Sequence, residues 1–564
     1  MKTVETDVLV VGGGPTGLSA AVLLARSGLE SLVVERRPGP QRAPAAHVIN
    51  ARTFEVWRQA GLDMQALLAL AKDPRDAGMV HWVTRLGGEV LGSLPYERQG
   101  DEVLAWTPTP LRNLSQHRLE PLLVAEVERI TGRAPAFQHR WESSQQDGEG
   151  VTSRVVDVQS GEELEVRSRY LIGADGAGSP VRKSLGIECL GPDRIQAFVM
   201  IHFEADLRSL VGAHPGVLYW VSDPACSGVF VAHDLDREWV FMHSFDPDSE
   251  PASSFDEERC RGIVGRAMTV DAPMRILNIS PWLMTSQVAD RYGSGRIFLA
   301  GDAAHRFPPT GGMGLNTGVQ DAHNLVWKIA AVEKGLAAPR LLDTYEIERK
   351  PVAAVNAEQS LANAMKMMEV PLAMGTADEP GAARRSFDAM LASPSRRGEV
   401  ATAIASQAEH FDMLGLQLGF RYEDGAVLPD GSEAEAVSNP VRDYTPSSRP
   451  GSHLPHGWVA RGEARVSTQD LVALDGLTLF AHTGSAWIDA AQAAGLRVVE
   501  WRRDVNDSDD WWRATAKLEQ DGALLLRPDQ HVAARFGASA GRETELLSRA
   551  VAKVLGYDAA DAGA

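Results

Sequence analysis

A chain of 564 residues exceeds what one hydrophobic core organises and predicts two or three domains with a large buried interior. Its formal net charge of −19 at pH 7 excludes nucleic acid and anionic membrane as main partners, since both select a basic face. The three cysteines, Cys189, Cys226 and Cys260, have no Cys-x-x-Cys spacing, which excludes a redox dithiol and a four-cysteine metal site. No metal is expected. No leading apolar segment and no uncharged apolar run of about 18 residues is present, so a cytoplasmic protein is expected.

Residues 7–11, DVLVV, form the continuous apolar run of a parallel strand covered on both faces. Gly12, Gly14 and Gly17 follow in G-x-G-x-x-G spacing, which supplies a tight turn, close backbone approach to a pyrophosphate and a small helix–sheet contact. The helix that begins there, PTGLSAAVLLARSG, offers unpaired N–H groups and its positive dipole end to phosphates. Eighteen residues beyond Gly17, Glu35 closes the second strand, where a carboxylate accepts the hydroxyls of an adenosine ribose. A dinucleotide is implied, and FAD and NAD both satisfy this unit.

Residues 43–62, APAAHVINARTFEVWRQAGL, carry His47, and residues 113–123, NLSQHRLEPLL, carry Gln116 on an amphipathic helix. Residues 170–186, YLIGADGAGSPVRKSLG, read as a strand ending at Asp175-Gly176, then a small-residue turn and Arg182. From about 190 to 290, runs such as AFVMIHFEAD, GVLYWVS, SGVFVAHD and REWVFMHSF alternate with polar turns and predict an inserted antiparallel sheet. With a segment from 75 to 112, that sheet would roof a cavity suited to an aromatic ring. His233 lies in this sheet and is expected at an exposed turn. Residues 295–330 give another buried strand ending at Gly301-Asp302, a Pro/Gly loop, and a helix whose apolar positions Leu315, Val319, Ala322, Val326 and Ile329 recur at helical spacing. His305, in that motif, reads as structural.

Together the glycine fingerprint, the Asp-Gly motif and the Gly-Asp motif resemble the FAD-dependent aromatic hydroxylases. These are single-component flavoprotein monooxygenases, and the match is to the phenol, dichlorophenol and aromatic polyketide hydroxylase branch, over residues 1 to about 360. The resemblance implies FAD, with NADPH or NADH as co-substrate, O2, a phenolic substrate and a homodimer. It places the AMP half of FAD at Gly12, Gly14, Gly17 and Glu35, with Thr16 and Arg36 also cofactor-binding, Gln116 near the pyrophosphate, Asp175 as the cofactor-binding acid of the Asp-Gly motif, and Asp302 at the ribityl or pyrophosphate portion. The backbone of Gly312, Leu315 and Asn316 would face the flavin pyrimidine ring, where a helix N-terminus stabilises the reduced anion. Pro308, with Pro309, has no N–H and would fix the backbone where oxygen reacts. No second G-x-G-x-x-G unit is present, so the nicotinamide would bind transiently.

The fold class expected is α/β. It comprises a Rossmann-like FAD-binding domain (1–187 and 288–400), an inserted antiparallel substrate sheet (188–287), and a linker with a C-terminal unit (401–564) that resembles the thioredoxin-like domain of this branch. In that unit LDGLTLFAHTGS and GLRVVEW read as strands around the helix AWIDAAQAAG, and the lack of cysteine after residue 260 denies it dithiol chemistry.

His47 stands where the resembled phenol hydroxylases carry a catalytic aspartate, and is the candidate base for removing the phenol proton. A histidine near 6.5 and a phenol near 10 leave that transfer uphill by about 5 kcal/mol, which favours acidified phenols. Ala45 departs from the family's arginine and disfavours a benzoate-type substrate. The reaction expected is hydroxylation of a phenol through a flavin C4a-hydroperoxide. The alternatives are a Baeyer–Villiger or epoxidising oxygenase acting on a polyketide, and a non-catalytic FAD-binding regulatory protein.

Overall fold

The computed structural model describes residues 2–376, 380–507, 510–539 and 541–557. Its first layer is an eight-stranded sheet built around Lys2–Val11, which lies parallel to Ser31–Glu35 on one side and to Glu163–Gly173 on the other. Ile297–Leu299 continues the parallel set beyond Glu163–Gly173. The strand ends at Val11, Glu35, Gly173 and Leu299 therefore share one edge, where the crevice of a parallel sheet binds ligands. Val8, Leu9 and Val10 are completely buried, which is why this strand reads as an unbroken apolar run.

The second sheet has seven strands in the order Arg275–Met284, Gln196–Glu204, Glu238–Phe245, Gly228–Asp234, Leu218–Val221, Met79–Val83 and Val90–Pro95. It is not wholly antiparallel, as the sequence suggests. Leu218–Val221 and Met79–Val83 pair in parallel, because the latter arrives from the segment before the insertion and no hairpin dictates its direction. Its core gathers Phe203, Phe230, Trp239 and Phe241 on one face. On the other, Val80 and Trp82 pack with Phe387, Met390 and Ile404 of the helical stretch that follows the dinucleotide fold.

The C-terminal unit is a four-stranded sheet in which Thr478–His482 lies parallel to Arg497–Trp501 and antiparallel to Ala523–Leu526, with Val532–Phe536 at the edge. The helix Ala486–Ala493 joins the parallel pair, and Glu543–Val554 closes the unit. The stretch GALLLRPDQHVAARF holds both of the last two strands.

The units meet on the helix Met313–Glu333, which is buried without a break from Asn316 to Ala330. Its apolar stripe faces the dinucleotide sheet, and its polar stripe is buried as well. There Glu348 accepts from Lys328 Nζ (2.6 Å), Asn324 Nδ2 (2.7 Å), the backbone N–H of Ala426 (2.8 Å) and both terminal nitrogens of Arg527 (2.7 Å each). Arg527 also holds Asp529, and Arg52 donates to Gln530 and to the Asp529 carbonyl. These bonds clamp the C-terminal sheet to the dinucleotide domain. Burial alone would raise the Glu348 pKa, but Arg527 and Lys328 outweigh it and hold it at about 2.

Removing one partner of a buried ion pair strands the other, at a cost of about 3–5 kcal/mol. Glu348→Gln is therefore expected to lower stability to urea by that order. The wild-type carboxylate, ordinarily near 4.5, contributes fully above that pH and loses its contribution as pH falls toward 2. The variant should lose this part of the acid dependence, as equilibrium unfolding at pH 7 and pH 4 would show.

Candidate active site

Three motifs distant in sequence are locked together at the shared edge of the parallel sheet. Gly12 has φ +114°, and a Cβ there would lie 2.1 Å from the Ala174 carbonyl, so the first glycine packs directly on the Asp175 turn. A Cβ on Gly17 would sit 2.0 Å from the Gly12 oxygen. Gly14 differs: nothing lies within 4 Å of its would-be Cβ, and its φ of −84° suits any residue. Thr16 packs between Gly301 and Gly318, joining the first helix to the Gly-Asp motif. Arg182 completes the lock by donating to the Ala303 and Ala177 carbonyls.

The helix Pro15–Arg26 begins at Gly14 with no side-chain cap and no acid in its first turn. Its leading N–H groups and dipole thus face open space suited to an anion. Glu35 is buried and accepts from the N–H groups of Gly13 and Arg37 (2.8 Å each). Burial would raise its pKa, but these backbone donors and the Arg37 side chain hold it below its ordinary value. Arg36 is exposed and makes no hydrogen bond within the described protein, whereas Arg37 reaches Glu35, Gln41 and Glu120. Gln116 is also engaged, donating to Glu120 (2.7 Å) and accepting from the Ala46 N–H.

Asp175 accepts from Ser179 Oγ (2.5 Å) and the Val181 N–H (3.0 Å) and so ties down its own turn. Asp302 is open to solvent beside Gly314, in a concavity whose protein walls push its carboxyl pKa up against the opposing pull of His305 and Arg306. His305 is buried, paired to Asp321 (2.6 Å) and stacked on Phe307 at 4.9 Å, which fixes the loop leading to the buried Pro308.

A second uncapped helix start faces the same region. Gly311 (φ +118°) and Gly312 (φ +62°) turn the chain into Met313–Glu333, and a Cβ on Gly312 would meet Val48 at 2.7 Å. Asn316 uses its whole side chain as a brace. Its Nδ2 donates to the Val48 and Gly312 carbonyls, and its Oδ1 accepts from the Asn50 N–H and Thr53 hydroxyl. Only backbone is left for a ligand, with the N–H groups of Met313, Gly314 and Leu315 unpaired by helix geometry.

His47 lies beside this start, and its hydrogen bonds fix its tautomer. Gln99 Nε2 donates to the carbonyls of Ala77 (3.0 Å) and Tyr96 (2.8 Å), which can only accept. Gln99 Oε1 therefore accepts from Asn113 Nδ2 (3.3 Å), and Asn113 Oδ1 accepts from His47 Nδ1–H (3.0 Å). The His47 Nε2 lone pair has no partner in the described protein. Desolvation lowers the His47 pKa to about 4, the Asn113 bond opposing and the Lys72 charge assisting. His233 is buried rather than exposed. It sits on the strand Gly228–Asp234 at the seam of the two sheets, edge-on to His47 at 5.6 Å and bonded to Ser115. Gln99 and Asn113 gave no signal in sequence, since an amide braced by carbonyls looks like any polar residue.

Residues 5–360 match the family model described as FAD binding domain, and residues 447–557 match the one described as aromatic-ring hydroxylase, C-terminal. The chain is 35% identical to 2,4-dichlorophenol 6-monooxygenase of Cupriavidus pinatubonensis, across 98% of this chain and 97% of that one. It is 36% identical to aklavinone 12-hydroxylase of Streptomyces purpurascens, across 98% and 100%. Among solved structures it resembles the flavin-dependent monooxygenase PieE in complex with FAD and substrate, with a TM-score of 0.91, 35% identity and 99% and 100% coverage. The chain belongs to the FAD-dependent aromatic-ring hydroxylases, is a monooxygenase acting on aromatic substrates, and has FAD as its cofactor, NAD(P)H being the reductant typical of the family.

The open space at Gly14 allows fold and cofactor binding to be separated. Gly14→Ala is expected to fold with an unchanged melting temperature as apoprotein but to bind FAD at least tenfold more weakly. Flavin fluorescence during titration measures this, and wild-type affinity would mean that no phosphate approaches there. Gly12→Ala, which must displace the Ala174 backbone, should instead lower the melting temperature itself.

Proposed function

We propose that this monooxygenase hydroxylates a phenolic ring whose hydroxyl group donates to Nε2 of His47. The observation that carries the reading is the unpartnered lone pair of a neutral, tautomer-fixed histidine beside an uncapped helix start. A phenol supplies the matching O–H. Ala45 offers no cation for a substrate carboxylate. The relatives whose names specify dichlorophenol and aklavinone support a hydroxylated aromatic, in one case a single ring and in the other a polyketide.

The residues present fit FAD. Gly12, Gly14, Thr16 and Gly17 would admit the pyrophosphate to the first helix N-terminus, Glu35 would accept the ribose hydroxyls, and Asp302 would face the ribityl region. Asp175 and Gln116 would act by holding their loops, and Asn316 by bracing the turn at Gly312. The N–H groups of Gly314 and Leu315 would face the pyrimidine edge, and Pro308 would shape the place where oxygen reacts. When bound, FAD supplies hydride acceptance from NADH or NADPH and activation of O2. The protein's own task is to exclude water, hold the ring and receive the hydroxyl proton.

His47 receives that proton late. An ordinary phenol near 10 and a histidine at about 4 differ by about six units, roughly 8 kcal/mol against full transfer before the ring reacts. Once the ring carbon bonds to oxygen, the hydroxyl becomes strongly acidic and even a weak base accepts its proton.

The domains fit residues 1–187 with 288–400 as the FAD-binding unit and 188–287, with 75–112, as the substrate sheet. A thioredoxin-like reading of the C-terminal unit is supported by its parallel pair joined by a helix, its antiparallel hairpin and its closing helix. The role we assign to it is structural or dimer-forming, since no cysteine follows Cys260.

The test is NAD(P)H oxidation with 2,4-dichlorophenol and with 1,8-dihydroxyanthraquinone. At least one should accelerate oxidation and be recovered with one added oxygen atom by mass. No response to either, or a lactone or epoxide product, would overturn the phenol reading. His47→Ala should keep FAD and its reduction but lose coupled hydroxylation by roughly ten- to hundredfold, the worth of one buried hydrogen bond of about 1–3 kcal/mol, with electrons diverted to hydrogen peroxide.

A further inference from the structure

We propose that the amide pair Gln99–Asn113 is a positioning device that makes the site bind its substrate as the neutral phenol and reject the phenolate. This rests on the proposed function. Both amides are almost fully buried, and their orientation ends on two backbone carbonyls that have no donor to offer. The order of donors and acceptors is therefore one-way from His47 to the Ala77 and Tyr96 carbonyls. His47 cannot exchange its ring proton to Nε2 without leaving Nδ1 and Asn113 Oδ1, two acceptors, face to face. A hydroxyl group meets the Nε2 lone pair as a donor. A phenolate meets it with a second lone pair.

A carboxylate in place of Asn113 would stabilise an imidazolium, which would present an N–H to the substrate and welcome the anion. The amide withholds that charge. Lys72 donates from its backbone N–H to the Asn113 carbonyl and from Nζ to the Ala232 carbonyl, and its half-buried ammonium opposes a second positive charge on His47. On the other side His233 is bonded to Ser115. Beyond it Glu238 is occupied by His117, His202 and Arg118 rather than by His47, with Asp234 also facing Arg118. Asp76 and Arg208, which act on Lys72, pair with each other. No carboxylate among the described residues contacts the His47 ring.

The experiment uses oxidised, FAD-loaded enzyme and two probes whose ionised forms absorb distinctively, 2,4-dichlorophenol and 4-nitrophenol. Difference spectra against pH give the pKa of each bound phenol. In the wild type it is expected to rise by about one unit or more over the free phenol, and kcat/KM should fall above it. Asn113→Asp should lower the bound pKa by about one to three units relative to wild type. It should also create an acid limb in kcat/KM from His47, and Asn113→Leu, which cannot carry charge, should create none. A wild type that lowers the pKa of the bound phenol, or an Asn113→Asp enzyme with wild-type spectra and pH profile, would overturn the proposal.

Should Asn113→Asp not fold, nitrogen NMR of 15N-histidine wild type, with His47→Ala for assignment, decides instead: protonated Nδ1 supports the device and bare Nδ1 overturns it. That signal needs no substrate. If neither phenol accelerates NAD(P)H oxidation while Nδ1 is protonated, the phenol reading fails and takes phenolate rejection with it, but the amide pair still sets the tautomer.

Discussion

One buried carboxylate sets the frame on which the site is built. Asp321, within the helix Met313–Glu333, accepts from the Gly301 N–H (3.1 Å), His305 Nε2 (2.6 Å) and Arg349 Nε (2.9 Å). The first bond fixes where the parallel strand Ile297–Leu299 ends, the second fixes the loop that carries Pro308, and the third fixes the next long helix. Burial by itself would push this carboxyl up, yet His305 and Arg349 outweigh it and keep it below its ordinary value. A neutral acid could not satisfy three donors, so the loop geometry and the ionisation state of Asp321 are one constraint.

From that anchor the same helix serves both ends of the molecule. At its start, glycines with positive φ and the Asn316 brace leave bare N–H groups where we propose that the cofactor lies. Along its body, Asn324 and Lys328 enter the ion network with Glu348, Arg527 and Asp529 that holds the C-terminal unit. The C-terminal sheet therefore bears on the orientation of the turn at Gly311 and Gly312, through the helix that both share. Buried ion pairs are costly and add little net stability compared with apolar packing, but they have few alternative arrangements, which suits an element that must hold one angle.

Around the proposed substrate position no carboxylate among the described residues contacts His47, and the Lys72 ammonium opposes a positive charge on its ring. His47 and His233 are both held neutral by burial, and Glu238, the acid that acts on His233, is engaged by His117, His202 and Arg118. Uncharged acceptors and backbone donors orient a polar aromatic without fixing counterions or water, which a water-excluding oxygenation site requires.

Composition and local pattern alone determined the dinucleotide unit. Gly12, Gly17 and Glu35 are dictated by backbone approach and strand endings, interactions local enough to leave a spacing in the chain. The strands around Phe203, Phe230 and Trp239 were legible for the same reason, since alternation along a strand records which face is covered. What the tertiary structure decided were contacts between polar groups far apart in sequence. The burial of the polar stripe of Met313–Glu333 left no mark in the sequence, His233 looked like a turn residue, and Gln99 and Asn113 looked like nothing. A polar side chain does not reveal whether water or a buried partner satisfies it until the fold brings the partner within about 3 Å, and for Gln99 and Asn113 those partners are the carbonyls of Ala77 and Tyr96 and the ring of His47.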